Sequence, residues 1–255
     1  MTAARLPWIV LPGLGETPEE FSQLATLLPT EDVRVLDPWR TPVTSAPAEL
    51  LAATGSPAGR IGLIGHSIGG LAALRWALLH PDQVERLILV DTSLTTETGL
   101  PWFHPGTRGD QVMRWMLTTA GRFGLPTLAG PAARRLLVRL LSVADRDLLP
   151  KATARARYGT ASSWLLFWRE LTESWVLARE VGKLALTPVV PVVVLVATGG
   201  SSRFTAARWL AAQRRLADAL GAELRVLADS AHLVHLDRPD AIAAAVTDSA
   251  TTQPH

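Results

Sequence analysis

The chain contains no cysteine. That absence removes thiolate nucleophiles, zinc–thiolate sites and disulfides from consideration, and it fits a reducing compartment. Net charge is small as well, +2 at pH 7 from 25 Lys and Arg against 23 Asp and Glu. Arginine is dense between Arg108 and Arg157, yet with so little excess charge these residues read as solvated helix faces rather than a nucleic-acid surface. Arg134, Arg135 and Arg139 stand at helical spacing, and an anionic ligand is the alternative to that solvated face. Long hydrophobic runs are lacking too. The stretch 189–197 is very apolar, but far shorter than the roughly 20 residues of a membrane-spanning helix, and reads as a buried strand. Residues 1–11 carry one arginine and a short apolar run broken by Pro7 and stopped by Pro12, a poor signal peptide. There is no internal repeat and no low-complexity tract. The expectation is a soluble cytoplasmic protein with no membrane span, one domain with an elaboration, since a chain of 255 residues buries roughly 70–75% of its unfolded surface.

What the chain does have is Gly65-His66-Ser67-Ile68-Gly69-Gly70, set between the apolar run 60–64 and a helical pattern over 71–79. Strand, sharp turn and helix around G-x-S-x-G make a nucleophile elbow. So tight a turn strains the backbone at Ser67, and the small residues two before and two after it let the helix start packed against the strand. Ser67 is the candidate nucleophile; the alternative is a serine that only caps the helix. Further strands are expected at 8–11, 33–37, 86–91, 191–197 and 223–228, with helices at 17–28, 48–54, 205–220 and 239–248. The strands are continuously rather than alternately apolar, which indicates a mostly parallel, doubly wound α/β sheet covered on both faces. After Asp91 the alternation stops. Helical patterns follow at 110–122, 131–142, 144–158 and 162–181, and they carry most of the tryptophans. Residues 1–91 and 188–255 are therefore expected to form the core, and 92–187 an inserted helical cap.

In this order of parts the chain resembles the α/β-hydrolase family over nearly its whole length. The resemblance rests on the elbow, the turn Pro12-Gly13-Leu14-Gly15 after the first strand, the helices after Asp91, and Asp229-Ser-Ala-His232-Leu-Val-His235-Leu-Asp-Arg-Pro239 near the end. It implies a minimal core of about six strands, since the family's usual N-terminal strand pair has no counterpart before residue 6. It also implies a cofactor-independent hydrolase without metal, an esterase-like serine hydrolase acting on a small apolar ester through a Ser-His-acid triad and an acyl-enzyme. The alternatives are a carbon–carbon bond, lactone or amide hydrolase on the same scaffold, or a non-catalytic hydrolase-like ligand-binding protein. Relatives with a carboxylate nucleophile are disfavoured by Ser67. The oligomeric state stays open.

A serine hydroxyl needs a general base within hydrogen-bond reach, and the base needs a third group to fix its tautomer. The resemblance assigns the base to His232, in the loop after strand 223–228. His235 is the rival, although its neighbours Val234 and Leu236 suit a packed side chain. The family usually places its acid in the loop here spanning 198–203, which holds no carboxylate. Asp91, at the end of the strand after the elbow helix, is the replacement that some members use; the alternative is a loop-bracing aspartate, with Glu97, Asp229 and Glu173 in reserve. The oxyanion hole falls by resemblance to the Leu14 and Ile68 amides, although Pro12-Gly13 stands where many relatives have His-Gly. Trp102, His104, Trp164 and Trp168, with Phe103, Met113, Trp115, Met116 and Phe167, are candidates for an apolar substrate pocket. The plainer reading of these side chains is that they pack cap helices.

Overall fold

The computed structural model describes residues 6–57, 59–144, 147–187 and 190–251. Its strands are β1 (Trp8–Leu11), β2 (Val33–Val35), β3 (Ile61–His66), β4 (Val84–Val90), β5 (Val192–Ala197) and β6 (Glu223–Leu227). They form a six-stranded sheet in the order β2-β1-β3-β4-β5-β6, every neighbouring pair parallel. The helices are α1 (Ser22–Leu27), α2 (Pro47–Ala53), α3 (Ile68–Leu79), α4 (Arg108–Arg122), α5 (Leu125–Leu141), α6 (Lys151–Tyr158), α7 (Ala161–Val181), α8 (Ala206–Leu220), α9 (Val234–Asp237) and α10 (Pro239–Thr251).

Both faces of the sheet are covered, which is why β1 and β5 are apolar at every position and β4 is so from Leu87 to Val90. Successive side chains alternate: Ile9, Leu11, Leu63, Leu87, Leu89, Val194 and Val196 join one core with residues of α2, α3 and α8, including Leu50, Leu71 and Leu216. Trp8, Val10, Ile64, Ile88, Val90 and Leu195 point the other way, onto Leu24 of α1 and Ile242 and Val246 of α10. The central helix α3 is buried along most of its length, with Leu71, Leu74 and Trp76 sealed from solvent.

Between β1 and β3 the winding of the sheet reverses. In a parallel sheet the crevice beyond the carboxyl ends of strands at such a reversal is where ligands bind. The turns that leave β1 and β3 flank it: 12–15 and the elbow at Ser67.

Helices α4 to α7 fill the interval between β4 and β5, and α5, α6 and α7 dock on the loops after β1 and β2. The Val43 amide donates to Glu170 Oε1 at 2.9 Å, Arg157 Nη2 to Asp37 Oδ2 at 2.9 Å, and the Tyr158 hydroxyl to Gly15 O at 2.6 Å. Buried Arg134 pairs with buried Glu20. Arg134 is thus an ion-pair partner in the interior and not part of a solvated face.

Local boundaries differ from the sequence pattern for identifiable reasons. The expected helix 17–28 opens with a 3-10 turn, Pro18–Phe21, capped by Thr17 and Glu20, the Glu20 carboxylate accepting from the Thr17 amide at 2.8 Å. Helix α5 starts six residues before the expected Pro131, because Gly124 adopts φ 70° and Pro126 fits the first turn. The helix expected at 144–158 begins only after Pro150; positions 145 and 146 of that expectation lie outside the described residues.

Candidate active site

Strand β3 ends at His66 and α3 begins at Ile68, so Ser67 alone makes the turn. Its φ of 53° and ψ of −121° are strained for a residue with a Cβ. The strain is held by the Ser67 amide donating to Val90 O at 3.1 Å and by the Ser67 carbonyl accepting from Gly70 and Ser93 amides, each at 3.0 Å. A Cβ on Gly65 would lie 2.5 Å from Gly69 O and 2.6 Å from Gly70 Cα, and one on Gly69 would run into the carbonyls of Leu11 and Pro12. Side chains at these positions would lever the helix off the strand. Ser67 makes no side-chain cap bond to α3. Its hydroxyl instead lies 3.2 Å from His232 Nε2.

His232 sits in the connection between β6 and α9, its side chain 27% exposed. Its Nδ1 is 2.6 Å from Asp91 Oδ2. Asp91 follows β4 directly, is 2% exposed and adopts φ 40°. Its other oxygen accepts from the Ala197 amide at 3.0 Å and from Trp209 Nε1 at 2.8 Å. The carboxylate is therefore fixed from two sides, with one oxygen left to face the imidazole. With Nδ1–H donating to Asp91, the neutral ring presents a lone pair on Nε2 toward the Ser67 hydroxyl. The reserve carboxylates are engaged elsewhere: Asp229 with Arg238 at 2.6 Å, Glu97 with the Leu94 amide at 3.0 Å, Glu173 with the Thr44 hydroxyl at 2.8 Å. His235 is sealed from solvent and stacks on Phe21, ring centroids 4.4 Å apart.

Ile68 opens α3, so its amide is among the first four that a helix leaves without an internal partner. Leu14 lies across the crevice in the turn after β1. That turn is braced from three directions: Tyr158 holds Gly15 O, Trp39 Nε1 donates to Glu16 O at 2.9 Å, and the Glu16 carboxylate accepts the Gly13 amide at 2.6 Å. Beside it Gly15, Trp39, Leu166 and Phe167 enclose a narrow crevice. A larger cavity of about 180 Å³ lies between α3, α8 and the loop after β4, and neither Ser67 nor His232 is in its walls.

The proposed pocket side chains divide. Trp102 is 59% exposed. Trp164 Nε1 donates to Tyr158 O at 3.0 Å and Trp168 Nε1 to Asp110 Oδ1 at 2.8 Å, bonds within the helical insertion. The buried His104 places Nε2 2.9 Å from Thr98 O and 2.6 Å from Arg179 Nη2. The observed bonds of Trp164, Trp168 and His104 thus pack the insertion, whereas Phe167 reaches the turn after β1, where a Cβ on Gly15 would meet its ring at 3.0 Å.

Two members of this neighbourhood went unmarked in the sequence. His66 is the variable position of the elbow pattern and Glu16 a turn residue, yet Glu16 Oε1 lies 2.6 Å from His66 Nδ1 with both side chains buried. A signal was present: a histidine inside an otherwise apolar strand needs a partner when buried.

A sequence model of the alpha/beta hydrolase family matches residues 8–245. Lipase LipV of Mycobacterium tuberculosis is 30% identical over 228 residues, covering 82% of this chain and 77% of its own. Among solved structures, an alpha/beta hydrolase fold protein from Burkholderia ambifaria has a TM-score of 0.70 at 19% identity, over 96% of this chain and 90% of that one. The enol-lactonase from Burkholderia xenovorans has a TM-score of 0.61 at 22% identity, over 98% and 94%. The chain belongs to the alpha/beta hydrolase family and is a hydrolase. Among the described residues, no helix is long and apolar enough to cross a membrane.

Proposed function

We propose that the protein is a serine hydrolase of carboxylic esters, with Ser67 as nucleophile, His232 as general base and Asp91 as its orienting acid. The observation that carries this is the continuous relay from Asp91 Oδ2 to His232 Nδ1 at 2.6 Å and from His232 Nε2 to Ser67 Oγ at 3.2 Å. Ser67 Oγ attacks the ester carbonyl carbon while His232 Nε2 takes its proton. Asp91 stabilises the imidazolium that forms and keeps its orientation. The carbonyl oxygen, now negative, meets the amides of Leu14 and Ile68, the latter at the positive end of the α3 dipole. His232 then gives its proton to the departing alkoxide, which leaves the acyl group on Ser67. A water deprotonated by His232 attacks that acyl carbon, and the proton returns to Ser67 as the acid is released.

The insertion α4 to α7 serves in this reading as a cap whose α6 and α7 close over the turn after β1. Phe167, Leu166 and Trp39 offer an apolar wall for the acyl or alcohol part. The lipase activity named for the mycobacterial relative points the same way, to an apolar acyl ester. Of the two motives for a non-catalytic binding protein, the lack of an acid in the loop 198–203 and Pro12-Gly13 in place of His-Gly, Asp91 at the imidazole speaks against the first. Turnover of a series of p-nitrophenyl esters tests the proposal. The native chain is expected to hydrolyse them without added metal or cofactor, and Ser67→Ala and His232→Gln to lose at least about 10³-fold in kcat. Equal turnover by the native chain and Ser67→Ala would refute it.

A further inference from the structure

Ser67, His232 and Asp91 leave a second group of ionisable side chains, directly beneath them, without a task. His66, 1% exposed, places Nδ1 2.6 Å from Glu16 Oε1 and Nε2 2.8 Å from the His232 carbonyl oxygen. Glu16 Oε2 accepts the Gly13 amide at 2.6 Å. Both groups that face the ring are acceptors, a carboxylate and a carbonyl, surroundings that favour the doubly protonated ring. Burial alone would push His66 down, but the Glu16 charge and hydrogen bond, with the His232 carbonyl, hold it above its ordinary value. Burial would likewise push Glu16 up, and the charges of His66 and His235 with the bonds from His66 and Gly13 outweigh it, bringing it to about 2.

Glu16, His66 and His235 each offer a ligand atom within 4.8 Å of one another, which raises a metal site as an alternative. The contact between Glu16 and His66 is too close for that. Two ligands around one zinc at about 2.0–2.1 Å stand roughly 3.3 Å apart, whereas these two atoms stand 2.6 Å apart, the spacing of an ion pair in direct contact. Gly13 is built around the pair: a Cβ there would lie 2.7 Å from Glu16 Oε1 and 2.9 Å from His66 Nδ1. The remaining charged and titratable neighbours are His235, whose Nδ1 is 4.0 Å from Glu16 Oε1, Glu20, 3.7 Å from His235 Nε2 and paired with Arg134, and Asp91 beyond the His232 ring.

We propose that the His66–Glu16 pair is a positioning strut for the hydrolytic reaction, running from the Gly13 amide to the His232 carbonyl and locking the oxyanion turn to the base-bearing loop. The proposal rests on the serine-hydrolase reading. Leu14 N–H, which follows Gly13, and His232 Nε2 must act on the same ester at the same moment, yet they come from β1 and β6, at different places in the sheet. The strut passes through the residue before the nucleophile, so one rigid body sets all three. A misplacement of about 1 Å in such a constellation costs on the order of 10²-fold in rate.

Glu16→Gln, His66→Asn and the double variant test this, with rates expressed per serine titrated by a fluorophosphonate, so that misfolded protein does not count. Each single variant is expected to lose about 10²-fold in kcat with KM changed less than about threefold, the double to lose no more than either single, and Glu16→Asp to recover part of the rate. A merely structural pair would lower the fraction of titratable serine and leave kcat per site unchanged, which overturns the proposal. Zinc copurifying at one per chain and lost in Glu16→Gln also overturns it. If the native chain itself resists the fluorophosphonate, the serine-hydrolase reading fails; if only the variants' kcat values match the native one, the strut alone fails.

Discussion

Asp91 occupies a left-handed backbone conformation without being glycine or asparagine, a state that persists only where the surroundings impose it. Its amide bonded to Leu195 O at 2.7 Å and its Oδ1 shared by Ala197 and Trp209 supply that imposition. Asp91→Asn keeps the size and most of these bonds but offers an amide where the imidazole needs an acceptor. By analogy with the same change in a serine-protease triad, kcat for a p-nitrophenyl ester is expected to fall by about 10⁴-fold with KM little altered. An unchanged kcat would make Asp91 a brace for its loop and nothing more. As candidates, Ser67 and His232 were legible in the sequence because each stands in a short linear pattern. Asp91 was legible only as one carboxylate among several, because its meeting with His232 joins residues 141 positions apart and depends on strand order. For His66 the need of a partner was legible but not its identity: no local pattern tells which acid in the turn after β1 a buried histidine will find.

At the scale of elements, the docking of α7 on the loop after β2 carries a buried carboxyl. Burial pushes Glu170 up to about 7, Glu173 adding to the rise and the Val43 amide opposing it. A folded value raised above the ordinary one means stability fully present below about 4.5 and lost as pH rises through about 7. Glu170→Gln keeps an acceptor for the Val43 amide and removes the charging cost. Denaturant unfolding is expected to find the variant more stable than the native chain at pH 8, by on the order of 1–3 kcal/mol, and nearly equal at pH 5. A difference independent of pH would contradict this. The inner strands of the sheet were plain in the sequence, since doubly covered strands such as β1 and β5 are continuously apolar. The insertion's boundaries were less so: Pro131 looks like a start and lies inside α5, because Pro126 had already opened the helix.

For the whole molecule, the reversal of winding between β1 and β3 explains why the candidate site residues gather where they do. That crevice receives the turn after β1 and the elbow after β3, while β4 and β6 deliver Asp91 and His232 from the same carboxyl edge. The helices between β4 and β5 bond to the loops at that edge, at Gly15, Asp37 and Val43. The central claim is that Ser67 is an activated nucleophile. Treating the native chain with a fluorophosphonate and mapping the adduct by peptide mass spectrometry tests it most directly. The account predicts one phosphonyl group per chain, on Ser67, formed far more slowly in His232→Gln. An adduct on another residue, or none on a folded native chain, would contradict it.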